Sequence, residues 1–407
     1  MERIVVIGAG QAASSLMVKL RSQGFEGEIL LIGEEPHLPY QRPPLSKKYL
    51  AGEMPAERLL LRQAGWYEKN RIDAKLGAAA ARIDPEAKQV ALFDGETVAY
   101  DQLALTTGAR PRRLPPAIGG DLPNVFTMRD LADADALSAV MTPGRRVLVI
   151  GGGYIGLEAA AEAAKKGLEV TLIEAAERIL QRVAAVETAD YFRDLHRARG
   201  VTVVEGVGIE RLARGDGDLL TATLGDGSVL DVDLVIVGIG IQPNSELAAE
   251  AGIEIELGGI RVDAFGRTSD PAIFAAGDCA CLDWKGRPIR LESVQNAQDQ
   301  AANVALNMLG EATAYKPEPW FWSDQYDVKL QIAGLNLGYD QVIKRDGPKP
   351  CAAAHFYFAG DELLAVDAMN DPVSYNVVKR LLAAGRSLPK ALAADPTSDL
   401  KAFLTSG

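Results

Sequence analysis

The sequence predicts an α/β chain with two Rossmann-like dinucleotide-binding domains followed by a C-terminal α+β domain. A glycine-rich strand-to-helix turn opens the chain, and the same design returns once in its middle. After about residue 318, strand-like runs replace the βαβ order. Strands alternating with helical stretches imply a parallel sheet, whereas clustered strands followed by a helix imply an antiparallel sheet with its helix on one face.

Arg3-Ile4-Val5-Val6-Ile7 is apolar without alternation, as expected of a strand covered on both faces. It runs into Gly8-Ala9-Gly10-Gln11-Ala12-Ala13 and a helix to Leu20, and a second strand, Glu28 to Gly33, ends at Glu34. The second copy repeats this order. Strand Arg146 to Ile150 meets Gly151-Gly152-Gly153-Tyr154-Ile155-Gly156, a helix follows to Lys166, and strand Glu169 to Ile173 ends at Glu174. Asp94-Gly95 and Asp226-Gly227 each mark a hairpin. Equal spacings then lead to the strand-ending Gly108 and Gly240. A solenoid would repeat at a far shorter period. These marks give a discontinuous first domain (1–112 and 241–318), a second domain (113–240) and a third (319–407).

In such a turn the first glycine permits the bend, the second admits a diphosphate to the backbone, and the third lets helix and strand pack closely. The helix N-terminus then stabilises the phosphate charge. Gly8, Gly10 and Ala13 are candidates for one dinucleotide, with Glu34 on its adenosine ribose. Gly151, Gly153, Tyr154, Ile155 and Gly156 are candidates for the other, with Glu174 on the ribose and Gly240 closing the second copy. A carboxylate at 174 repels a 2′-phosphate, which points to NADH and not NADPH. Arg178 and Arg182 follow and could meet the NAD phosphates or be solvated. Glu158, inside the first turn of its helix, could hold the nicotinamide carboxamide or stabilise the helix N-terminus.

The remaining composition mostly excludes. A net charge of −12 argues against a nucleic-acid partner. No apolar run reaches the roughly 18 residues of a membrane span, and the first apolar stretch is too short for a signal peptide; a cytoplasmic location is expected. Three cysteines (Cys279, Cys281, Cys351) and three histidines (37, 196, 355) form no metal-ligand spacing, so no metal is expected, and the thiols read as buried or half-buried.

Beyond the two glycine turns, the sequence carries Pro39-Tyr40-Gln41-Arg42-Pro43-Pro44-Leu45-Ser46-Lys47, Thr106-Thr107-Gly108-Ala109-Arg110-Pro111, Ile273-Phe274-Ala275-Ala276-Gly277-Asp278-Cys279 and Pro319-Trp320-Phe321-Trp322-Ser323-Asp324-Gln325. With these motifs the whole chain resembles the FAD-dependent NADH:ferredoxin reductases of oxygenase systems, the putidaredoxin reductase and biphenyl dioxygenase reductase type, which share the glutathione-reductase-like fold. The resemblance implies FAD in the first domain, NAD in the second, and a C-terminal domain that takes part in meeting the ferredoxin. It places Arg42, Pro43 and Lys47 on the pyrophosphate-to-flavin side, Ala80 at the adenine through its backbone, and Arg129 on the flavin nucleotide. Asp278 falls on the ribityl hydroxyls, Val294 near the ring through its backbone, and Trp322 near the flavin. Lys47, Glu158 and Trp322 are its implied catalytic residues.

From the residues themselves, Asp278 in a Gly-Asp turn could cap a following helix. The prolines and polar residues around Trp320 to Asp324 read as a loop or domain junction. In the third domain, strands at Lys329 to Ala333, Ala353 to Phe358 and Leu363 to Met369 precede an amphipathic helix bearing Val377, Val378, Leu381 and Leu382. Lys379, Arg380, Arg386 and Lys390 are candidates for meeting an acidic [2Fe–2S] ferredoxin by electrostatic steering.

NADH delivers two electrons as hydride and an iron–sulfur protein accepts one, a mismatch that a flavin bridges. The ferredoxin would in turn serve a haem monooxygenase or ring-hydroxylating dioxygenase. A disulfide or peroxide reductase would need a cysteine near the flavin, and residues 35–60 contain none. A rubredoxin reductase, or an NADH-sensing flavoprotein resembling apoptosis-inducing factor, are the alternatives.

Overall fold

The computed structural model describes residues 2–405, apart from the side chain of Thr405. The chain divides into two discontinuous compact units. One comprises the residues up to Gln41, Pro55–Arg110 and Ile241–Pro319; the other comprises Arg42–Met54, Pro111–Gly240 and the residues from Trp320 onward.

In the first unit, β1 (Arg3–Ile7), α1 (Gln11–Ser22) and β2 (Glu28–Gly33) form the expected βαβ turn. Their sheet has the order Ile273–Ala275, Gln102–Leu105, β1, β2, Ile72–Leu76, with every pairing parallel. Ile4, Val5 and Val6 have no exposed surface, which explains their unbroken apolarity. Helix Val294–Met308 packs against α1 through Ala12, Ala13, Ala297 and Ala301, small residues that let the two backbones approach. Gly95 takes a φ of 91° in the predicted hairpin turn.

The second unit repeats the plan with β3 (Arg146–Ile150), α2 (Tyr154–Lys165), β4 (Glu169–Glu174) and α3 (Val186–Ala198). Its parallel sheet has the order Thr202–Glu205, β4, β3, Leu234–Val237, Val125–Phe126. Helix α3 buries Thr188, Ala189, Phe192 and His196, the stripe that a 3.6-residue period places on one face.

The C-terminal part is an antiparallel sheet of β5 (Trp320–Gln325), β6 (Val328–Gly334), β7 (Gln341–Asp346), β8 (Ala353–Ala359) and β9 (Glu362–Met369), in the order β5-β6-β9-β8-β7. Helix α4 (Pro372–Ala383), capped by Asp371, lays Val377, Val378 and Leu381 on Phe356, Phe358 and Val366. Val328, Leu330 and Met369 from this sheet share one core with Leu157, Ala160 and Phe192 of the nucleotide fold.

One expectation is corrected here. Trp320 to Asp324 is an edge strand and not a loop. Its aromatic residues favour the pleated conformation, its prolines lie before the strand where no ladder hydrogen bond is lost, and Ser323 and Gln325 alternate inward as fully buried residues.

Candidate coenzyme and redox sites

Gly8 ends β1 at a φ of 101°, and a Cβ there would lie 2.3 Å from the Thr106 carbonyl oxygen. Two residues on, Gly10 caps α1 without a side-chain hydrogen bond. The first turn carries no acid, and nothing lies within 4 Å of the space a Cβ would take. The helix therefore presents free N–H groups and positive dipole to open space, an arrangement that suits a diphosphate. Ala13 is buried, and Glu34 lies exposed at the tip of β2.

Ala80 begins strand Ala80–Asp84, and Val294 begins its helix, which Ser293 caps through the Asn296 amide. Asp278 follows strand Ile273–Ala275 in a turn that leads into strand Ala280–Trp284. The alternative reading, a cap on a following helix, finds a strand at that position instead. The Gly277 amide donates to Gln300 Oε1 at 2.9 Å, and a Cβ on Gly277 would sit 3.2 Å from Ala12. Asp278 is thus delivered beside the first turn of α1, at the carboxyl ends of the strands, where open parallel sheets bind ligands.

The second glycine turn has the same construction. Gly151 takes a φ of 109°, with its absent Cβ 2.5 Å from the Gly238 oxygen, and Gly156 would place a Cβ 2.0 Å from the Gly151 oxygen. Gly153 caps α2 with open space over it and no acid in the first turn. Glu174 Oε2 accepts from the Gly152 amide and Oε1 from the Ala176 amide, both at 2.7 Å. Arg182 lies over Gly240, its Nη2 3.3 Å from the position a Cβ would take. Ile155 is exposed. Tyr154 packs on Phe321 at 5.0 Å, its hydroxyl buried without a hydrogen-bond partner and its pKa raised by that burial. Arg178 spends its guanidinium on the carbonyls of Ile179 and Ala184, so it supports the loop and not a phosphate.

Glu158 lies in the second turn of α2, past the first turn, where the second of its two readings would have it stabilise the helix N-terminus, and is almost fully buried. Lys47, from the short turn Leu45–Tyr49, approaches Glu158 Oε1 at 3.1 Å and Asp324 Oδ2 at 3.5 Å. Ser323 Oγ donates to Oε1 at 2.7 Å and Ser46 Oγ to Oε2 at 3.1 Å. Burial pushes the Glu158 carboxyl up; Lys47 and the two hydroxyls pull it back. Arg42 Nη1 donates to the Arg129 carbonyl at 2.9 Å, and Pro43 precedes the turn. Trp322 is half-buried on β5, 5.7 Å from Trp320, whose ring carries the Lys379 ammonium 4.5 Å from its centroid. Arg42, Pro43, Lys47, Arg129 and Trp322 all belong to the second unit, and Gly8, Gly10, Ala13, Glu34, Ala80, Asp278 and Val294 to the first.

Residues 2–301 match the pyridine nucleotide-disulphide oxidoreductase family and residues 320–404 the reductase C-terminal family. The chain is 43% identical to rhodocoxin reductase of Rhodococcus erythropolis, over 98% of its own length and 93% of that protein's. It is 40% identical to putidaredoxin reductase of Pseudomonas putida, over 100% of this chain and 97% of that one. Among solved structures it is similar to a ferredoxin reductase from Rhodopseudomonas palustris (TM-score 0.95, 39% identity, 100% of both chains). It is equally similar to putidaredoxin reductase in a covalent complex with putidaredoxin (TM-score 0.95, 38% identity, 100% of this chain and 99% of that one). The chain belongs to the ferredoxin reductases of this oxidoreductase family. It is an FAD- and NAD(H)-using flavoprotein, as the resemblance implied.

The sequence did not reveal which residues steady the reductase's buried carboxylates. Ser46 and Ser323 both lie inside quoted motifs, beside Lys47 and Trp322, and that adjacency was the available signal. A second buried cluster gave none. There the Thr188 and Tyr357 hydroxyls both donate to Asp367 Oδ2, His355 Nδ1 meets Thr188 Oγ1 at 2.8 Å, and the Ala185 amide donates to the Tyr357 oxygen. Burial raises Asp367 to about 6 and lowers His355 to about 4.

Cys279 and Cys281 are buried, as expected, but Cys351 is exposed. Among the basic candidates, Arg386 donates to the carbonyls of Phe403 and Leu404, Lys390 lies 3.6 Å from Asp361, Lys379 rests on the Trp320 ring, and Arg380 is exposed. No helix among the described residues is long and apolar enough to cross a membrane.

Proposed function

We propose that this reductase takes a hydride from NADH and passes electrons singly to a [2Fe–2S] ferredoxin of an oxygenase system. The observation that carries this reading is the pair of uncapped glycine helix N-termini, one on each parallel sheet, each opening on empty space. A bound flavin accepts the hydride as an electron pair and releases electrons one at a time.

The chain's own residues bind and orient. Gly8, Gly10 and Ala13 shape the FAD diphosphate seat, Glu34 and Ala80 serve the adenosine end, and Asp278 and Val294 serve the ribityl and ring end. Arg42, Pro43 and Arg129 complete the flavin nucleotide's surroundings. Gly151, Gly153, Ile155 and Gly156 seat NADH; Glu174 takes the ribose, Arg182 beside Gly240 the phosphates, and Tyr154 and Glu158 the nicotinamide end. Lys47, Glu158 and Trp322 form the redox site. The assignment of FAD to 1–112 and 241–318, NAD to 113–240 and a ferredoxin-facing domain to 319–407 is supported by the two glycine turns and by the reductase C-terminal match over 320–404.

The relatives' names support the partner: rhodocoxin reductase, putidaredoxin reductase, and the ferredoxin–NAD(+) reductase component of an anthranilate 1,2-dioxygenase system. An acidic ferredoxin suits Lys379 and Arg380, and buried unpaired thiols suit a cytoplasmic location. The test is steady-state reduction of candidate ferredoxins by the purified yellow protein. Faster reduction with NADH than with NADPH is expected, and equal rates would remove Glu174 from its role.

A further inference from the structure

Glu158 ends a row of polar groups that runs through β5 to His196 on the buried face of α3 and to Tyr326 in the turn after β5. Ser323 Oγ meets Glu158 Oε1 at 2.7 Å, Gln325 Nε2 meets Ser323 Oγ at 3.2 Å, His196 Nε2 meets Gln325 Oε1 at 2.9 Å, and Tyr326 Oη meets His196 Nδ1 at 3.1 Å. Ser323, Gln325 and His196 have no exposed surface, so no water can substitute for a mismatched partner.

The carboxylate fixes the direction of every bond. An ionised Glu158 only accepts, so Ser323 must donate its one hydroxyl proton to it. The Ser323 oxygen is then an acceptor toward Gln325, which must turn its NH2 to the serine and its carbonyl to His196. His196 must carry its proton on Nε2, and its bare Nδ1 takes the Tyr326 hydroxyl. All four bonds point the same way, toward Glu158.

We propose that Gln325 and His196 are positioning residues for the Lys47–Glu158 pair: through this one-directional array they keep Glu158 anionic in a buried site. Aligned hydrogen bonds polarise one another, so the final bond to the carboxylate gains from those behind it. Tyr326 closes the array from the two-residue turn between β5 and β6, where such a turn demands its φ of 56°, and its hydroxyl lies within hydrogen-bond distance of His196. Burial holds the His196 imidazole at about 4, so the neutral ring that the array requires persists at neutral pH.

The charged and titratable groups around the array are few. Lys47 faces Glu158 and also meets Asp324. Arg199 stacks on the Tyr326 ring at 5.2 Å and pairs with Asp327, and Glu162 of α2 lies toward Tyr326 while paired to Lys165.

The inference rests on the proposed role of the Lys47–Glu158 pair, but its test reads charge and tautomer in the oxidised holoenzyme, whatever protein that enzyme reduces. With 15N-labelled histidine, His196 is expected as the neutral Nε2–H tautomer at pH 7. An Nδ1–H tautomer or an imidazolium would overturn the proposal, and this measurement needs no variant. With carboxyl-13C glutamate, assigned by Glu158→Gln, the titration midpoint of Glu158 should rise by about one pH unit in Gln325→Leu. It should rise less in His196→Leu and return toward the parent value in His196→Gln, which keeps a donor near the Nε2 position. An unmoved midpoint in a folded Gln325→Leu would equally overturn it.

Discussion

The Gly152 amide donates to Glu174 Oε2 across 2.7 Å, which fastens the acid at the end of β4 to the glycine turn at the end of β3. The second carboxylate oxygen is held by Ala176 at the same distance. An acid anchored twice to backbone cannot swing away from an approaching phosphate.

Glu174→Ala is therefore expected to cost NADH about tenfold in affinity, the scale of one charged hydrogen bond. It should narrow the preference for NADH over NADPH, and adding Ala175→Arg should reverse it. Rapid-mixing titrations with each nucleotide give both ratios, and an unchanged preference would remove the carboxylate as the discriminator.

Gly8 and Gly10 should part company on substitution. Gly8→Ala forces a side chain onto a positive φ and into the Thr106 carbonyl, so the fold itself should lose about 1–3 kcal/mol. Gly10→Ala meets no protein atom; its melting temperature should hold without flavin, while FAD is lost on gel filtration. Equal flavin retention in Gly10→Ala and the parent would move the diphosphate elsewhere.

Lys47→Met leaves Glu158 buried beside two hydroxyls without its cation. A loss of about 3–5 kcal/mol is expected in urea unfolding. The double variant with Glu158→Gln should recover much of it, because no uncompensated charge then remains. Simple additivity in this cycle would show that the two groups do not interact.

The pH dependence of stability combines opposing signs. His196 and His355 are lowered to about 4 from 6.5, so each stabilises above pH 6.5 and loses that stabilisation as pH falls toward 4. Asp367 is raised from 3.8 to about 6, so its stabilisation is full below pH 3.8 and is lost as pH rises through 6. Asp367→Asn should consequently steepen the acid limb between pH 6 and 4, by up to about 3 kcal/mol across the window. Denaturant midpoints at four pH values would reveal it; a parallel displacement at every pH would contradict the sign.

Much of this architecture was legible. Strands β1 and β2 could be read because a parallel strand covered on both faces runs apolar beyond its first, charged residue, and Gly8 and Gly151 announce a backbone that no side chain permits. Lys47 was named from the resemblance and Glu158 also from its place after the second glycine turn, but their mutual contact could not be seen, since Lys47 sits in a turn far from α2 in sequence. Ser323 misled: with prolines upstream and an aspartate after it, a serine resembles a loop residue, and its burial makes sense only once Glu158, 165 residues away, accepts its hydrogen bond. His196 and Asp367 were invisible for the same reason. A polar residue on an apolar stripe declares its partner only in three dimensions.

The core that joins α2 and α3 to Val328, Leu330 and Met369 bears on engineering. Cutting the chain before Trp320 would strip Glu158, Thr188 and His196 of hydrogen-bonding companions while leaving them enclosed or newly wet. The segment from Trp320 onward therefore cannot be exchanged as a cassette to redirect electrons toward another carrier. A graft that changes partner will have to alter exposed side chains of α4 and spare the inward faces of β5, β8 and β9.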